Sequence, residues 1–182
     1  MTDRVLDQVF VSRRHDRDVN GDGAGDLVVV AGDGYLYYYP NNVNVDPQRA
    51  PFHDAAWKSP NPSWGDVVAM TAGDISGDGV ADLMVVAGDG YLYYYPNNIN
   101  VDPQRTPFHD AAWKSPNPSW GAVKQISATD ISADGVADLM VVAGDGYLYY
   151  YPNNINVDPQ RTPFHDAAWK SPNPSWRNAR LG

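Results

Sequence analysis

Asp18, Asn20, Asp22 and Asp26 place side-chain oxygens at positions 1, 3, 5 and 9 of one short segment, with Gly23 at position 6. Ala24, at position 7, can add a backbone carbonyl. Calcium is a hard cation that takes six to eight oxygens at roughly 2.3–2.6 Å, and acidic loops with this alternation supply them. Glycine at position 6 permits the sharp turn that brings the oxygens together. The pattern recurs as Asp74, Ser76, Asp78, Val80 and Asp82, and again as Asp130, Ser132, Asp134, Val136 and Asp138. Serine at position 3 is a weaker ligand than asparagine. The bland alternative is three Asp-Gly turns that bind nothing, but the threefold spacing favours calcium. Its role would be structural, because full oxygen coordination leaves little room for a substrate.

Other candidates for chemistry are weaker. His53-Asp54, His109-Asp110 and His165-Asp166 are sequence neighbours. Adjacent residues of a strand point to opposite faces, so these pairs do not form dyads. There is no cysteine, hence no thiol nucleophile, zinc thiolate site or disulfide framework. Gly88-Asp89-Gly90 is followed by no helix, so it reads as a hairpin turn and not as a nucleotide loop. No catalytic residue is expected. The aromatics are more suggestive. Trp57 and Trp64 flank a Ser-Pro-Asn-Pro-Ser segment containing Asn61; Trp113, Asn117 and Trp120, then Trp169, Asn173 and Trp176, repeat the arrangement. These residues read either as core between sheets or as a platform that stacks on a sugar, with the asparagines bonding its hydroxyls.

The elements that position these residues are repeated with them. Residues 80–120 recur unchanged as 136–176, and residues 24–64 match them with five changes, at an offset of 56 throughout. Such identity reflects recent duplication or deliberate design. Within one copy, residues 67–72 read as a first strand and the acidic loop follows. Residues 83–87 read as a second strand, apolar on both faces. Asp89-Gly90 predicts a two-residue type I′ turn. Residues 91–95 give a third strand, stopped by Pro96. Residues 97–107 are a long polar loop, and 108–113 a weak fourth strand. Four short antiparallel strands per unit, with no wet face, predict an all-β protein built of propeller blades. The blades run approximately over 8–63, 64–119 and 120–176 of a single repeat domain, with residues 9–11 starting the first. Because strands alternate in direction, the acidic loop and the Trp-flanked loop belong at opposite ends of a blade.

At the acidic loop and the apolar strand after it, the sequence resembles the FG-GAP or VCBS repeats, the calcium-binding blades of integrin α-subunit propellers. The resemblance covers the first half of each blade. It implies a propeller with structural calcium and a binding role, and some propeller lectins look similar.

Charge and composition narrow the partners. The formal net charge is −9, and all 22 acidic residues are aspartate. Phosphate binding needs clustered Lys and Arg, so nucleic acid and anionic membranes are unfavoured partners. Three divalent ions would bring the formal charge to −3. No apolar run reaches transmembrane length, and the first residues show no signal-peptide pattern, so an extracellular site would require a leader already removed. The expected function is a multivalent carbohydrate-binding, lectin-like propeller. The alternative is a protein-binding or adhesion scaffold, or a symmetric propeller without a ligand. Three blades fall short of the four to eight of a propeller, which predicts a homodimer closing a six-bladed ring.

Overall fold

The structure is a computed structural model that describes residues 17–102, 104–158 and 160–181. Residues 9–11, expected to begin the first blade, lie outside these. The described residues contain eleven strands and no helix. The first sheet has β1 (Leu27–Val30), β2 (Leu36–Tyr39) and β3 (Trp57–Lys58). The second has β4 (Ala69–Gly73), β5 (Asp82–Val86), β6 (Leu92–Tyr95) and β7 (Trp113–Lys114). The third has β8 (Gln125–Thr129), β9 (Asp138–Val142), β10 (Leu148–Tyr151) and β11 (Trp169–Lys170). Strand order follows chain order in each, so every sheet is an antiparallel meander of three or four strands, consistent with propeller blades.

Sequence chemistry explains the meander. Val and Tyr, which fill β5 and β6, favour a pleated, packed surface. All five β5 residues are buried, because the middle sheet is covered on both sides. One apolar cluster joins Val19, Leu36, Tyr38 and Trp64 to Ala81, Leu83, Val85, Ile99 and Phe108, between the first and second sheets. A second joins Ile75, Met84, Val86, Leu92 and Trp120 to Val136, Leu139, Val141, Ile155 and Phe164, between the second and third. The core is therefore a series of inter-blade layers. β4 packs on β8, and Gly73 makes this approach possible: a Cβ there would lie 2.9 Å from that of Ala128 and 3.1 Å from that of Ala137.

Two local readings need correction. The hairpin between β5 and β6 is not a two-residue type I′ turn. Ala87 N–H donates to Tyr91 O (3.1 Å) and Gly90 N–H to Ala87 O (3.0 Å), enclosing three residues. Only Gly90 has positive φ, 82°, whereas type I′ needs two such residues. Asp89 stays in the ordinary region and its carboxylate accepts from Tyr91 N–H (3.1 Å). Glycine is required here on a second count, because a Cβ at Gly90 would meet Pro118 O at 2.8 Å. The fourth strand, expected over 108–113, is only Trp113–Lys114, with an isolated bridge between Asn97 and Phe108. The polar run His109-Asp110 is exposed and has no ladder to join.

Candidate metal centre

Each acidic loop is wound around its own carboxylates. In the second loop, Asp74 Oδ1 accepts from the N–H groups of Gly77 (2.7 Å) and Asp78 (3.1 Å), and Oδ2 from Gly79 N–H (2.9 Å). Asp82, at the first position of β5, accepts on Oδ2 from Ile75 N–H (3.0 Å) and Ser76 N–H (2.8 Å), and on Oδ1 from Asn97 N–H (2.7 Å). Asp78 Oδ1 accepts from Val80 N–H (3.1 Å). The first loop repeats this with Asp18, Asp22 and Asp26. There Asn20 Oδ1 accepts from Asp22 N–H (2.9 Å), and Ala24 follows at position 7. The third loop aligns Asp134 and Gly135 on Asp130, Ile131 and Ser132 on Asp138, and Val136 on Asp134.

The electrostatics are unfavourable to the bare loops. Burial pushes the Asp26 and Asp74 carboxyls above their usual range. It pushes Asp82 up to about 7, with the charges of Asp78 and Asp74 adding to the effect and the N–H groups of Asn97 and Ser76 opposing it. Ser76 Oγ is buried with no hydrogen-bond partner. The nearby Tyr94 hydroxyl donates a hydrogen bond to Asp82 Oδ2 (3.3 Å). Among the described residues, no three His, Cys, Asp or Glu side chains gather at metal-holding distance. Each expected set includes three such side chains, the aspartates at positions 1, 5 and 9, so the loops do not bring these carboxylates together at metal-holding distance. The remaining expected donors are the Asn or Ser oxygen at position 3 and the carbonyl at position 7. The all-oxygen chemistry of these donors, and in the second loop the orphaned Ser76 hydroxyl at position 3, fit a hard cation.

The second group of candidate residues has another setting. Trp64 and Trp120 are buried and stack on the next sheet, Trp64 on Tyr95 and Trp120 on Tyr151, each 5.1 Å between centroids. Trp57 meets Phe108 edge-on at 6.4 Å. Trp113 is half-buried against the second cluster. Trp169 is exposed and Trp176 half-buried. Asn61 Oδ1 accepts from Ser63 N–H (3.2 Å), and Asn117 Oδ1 from Ser119 N–H (3.2 Å). Asn61, Asn117 and Asn173 also accept on their carbonyls from the serines Ser59, Ser115 and Ser171. Trp120 N–H donates to Gly90 O (2.9 Å), so this loop lies at the hairpin end of the blade. The acidic loop lies at the other end, beside Asn97.

Two features were not legible as pairs. His53, His109 and His165 face Asp46, Asp102 and Asp158, seven residues earlier, at 2.6–2.8 Å across the long loop; the adjacent aspartates are not their partners. Lys58 lies 3.6 Å from the Tyr35 ring centre and 3.3 Å from Asp33, and the other two copies repeat the arrangement. The only sequence signal was that these residues recur at fixed offsets.

Antiparallel meanders stacked on one another, the first two with an acidic loop reaching into the next sheet, are consistent with the blades of a propeller-type repeat protein. Comparison with family models matches residues 18–85 to the FG-GAP-like repeat, and residues 136–176 repeat residues 80–120 letter for letter. A search of curated proteins found no match.

Proposed function

We propose that this chain is a binding scaffold of propeller blades, made rigid by calcium in its three acidic loops. The observation that carries the calcium reading is Ser76 Oγ, buried without a partner at position 3 of a loop whose carboxylates burial and mutual repulsion disfavour. A divalent ion supplies the missing partner and the missing counter-charge. Catalysis is not part of this reading: the described histidines, His53, His109 and His165, are engaged in loop clasps with Asp46, Asp102 and Asp158. An ion held only by the folded state adds RT ln(1 + [L]/Kd), about 2.7 kcal/mol at a hundredfold excess over Kd. Thermal melts in EDTA and then in calcium should differ by several degrees, with magnesium less effective. Identical melting temperatures in EDTA and calcium would overturn the reading.

Carbohydrate is the ligand class favoured by one further observation. A groove of about 250 Å³ is lined by Ser119, Trp120, Tyr149 and Tyr151 together with the aliphatic Val123, Val141 and Ala143. Aromatic walls with a few polar groups suit a sugar ring. A protein partner is the alternative, and a glycan array separates the two.

A further inference from the structure

In both internal junctions, one blade's acidic loop plugs into the next blade. Ala81 N–H donates to Asp18 O (2.7 Å), and Ala137 N–H to Asp74 O (2.7 Å). The Asn97 amide bridges two carbonyls, Val19 O (2.7 Å) across the junction and Ala81 O (2.8 Å) in its own blade. Asn153 bridges Ile75 O and Ala137 O in the same way, at 2.9 Å each. Val19 and Ile75 are fully buried, and Phe108 and Phe164 are each 2% exposed.

The two outer faces carry the two halves of this contact. On the third blade, Ile131 takes the position of Val19 and Ile75 but is 47% exposed, and Trp169 is also 47% exposed. On the first blade, Phe52 takes the position of Phe108 and Phe164, and Leu27 that of Leu83 and Leu139; each is 38% exposed. Asn41 takes the position of Asn97 and donates to Gly25 O (2.9 Å). An amide carries two hydrogens, and Asn97 and Asn153 use the second for the blade before them.

We propose that the third blade docks on the first blade of a second copy of this chain. Ile131 enters the layer that Val19 and Ile75 enter inside the chain. Trp169 meets Phe52 of the second copy edge-on, as Trp57 meets Phe108. Asn41 of the second copy bonds the Ile131 carbonyl. The occupant follows from self-complementarity: each outer face has the side chains of one half of a junction that the chain already makes twice. The contact is head-to-tail and therefore needs closure. Two such contacts close two chains into six blades, within the range of propellers. This goes beyond the calcium reading and does not depend on it, since the EDTA melt tests that separately.

Light scattering at micromolar concentration tests the proposal. The chain should show twice its 20.0 kDa mass. Ile131→Arg and Phe52→Arg, one on each face, should each give the single mass with unchanged β circular dichroism. Mixing the two should restore one intact junction and a doubled mass. Val101→Arg, on an exposed loop tip, should leave the mass doubled. A wild-type chain at single mass overturns the proposal even if an arginine variant fails to fold, and so does an Ile131→Arg variant that stays doubled.

Discussion

Ala133 holds φ at 63°, where the first two loops have Gly21 at 78° and Gly77 at 79°. A side chain in this left-handed region crowds its own backbone, at roughly 1–2 kcal/mol per residue. Glycine removes the clash but has more freedom to lose on folding, about 0.5–1 kcal/mol. Ala133→Gly should therefore stabilise the chain by about 0.5–1 kcal/mol net, read as a higher urea midpoint at unchanged slope. On the proposed calcium reading, the same change should also tighten calcium at the third loop, because the backbone turn at residue 133 then carries less strain. A lower midpoint would show that the left-handed turn at Ala133 carries no strain.

The long loop between the third and fourth strands of a blade is an element held by its own clasp. Asn98 N–H donates to Pro107 O (2.8 Å). Asp102 Oδ1 accepts from Gln104 N–H (2.6 Å), and Oδ2 faces His109 Nε2 at 2.8 Å. The Asp102 carboxyl is held below its ordinary value of 3.8: desolvation pushes it upward and is outweighed by the N–H groups of Gln104 and Thr106 and by His109. Asp46 and Asp158 are lowered as well, chiefly by the N–H groups of Ala50 and Gln160. A depressed carboxyl contributes stability that is present above its ordinary value and is lost as pH falls through the folded one. Acidification below pH 3.8 should therefore loosen these three loops before the sheets melt, seen as faster amide exchange at Asn98 and Val101. Asp102→Asn should produce the same loosening of that loop at neutral pH. Unaltered exchange in the variant would show that the clasp does not hold the loop.

Across the whole molecule, equal residues have unequal surroundings, so equal substitutions should have unequal effects. Trp120 is buried between the second and third blades. Trp120→Ala should cost about 3–5 kcal/mol, as large aromatic truncations in cores do, at any protein concentration. Trp176 occupies the same place in its blade but is half-buried. Trp176→Ala should cost little in the dilute chain and should lower the melting temperature progressively more, relative to wild type, as concentration rises and copies pair. Equal, concentration-independent losses at both sites would mean that Trp176 has no neighbouring blade to meet.

Repeat length, the four-strand meander seen in the second and third sheets and the acidic loops were legible in the sequence because they rest on local chemistry. Asp and Gly at fixed spacing shape a loop, Tyr and Val form strands, and Pro stops them. Burial is not local. Trp64 and Trp176 stand in near-identical sequences, yet one is packed and the other half-open, because burial depends on whether another sheet stands beside it. The histidine clasps were missed for a related reason: a seven-residue gap becomes a contact only after the loop has folded back. The fourth strand shrank to Trp113–Lys114 because ladder hydrogen bonds need a partner edge, and only the packed sheet determines where that edge ends. From local chemistry alone, the sequence determined what each blade is; the tertiary structure decided which copies of an identical residue are core and which remain open to a partner.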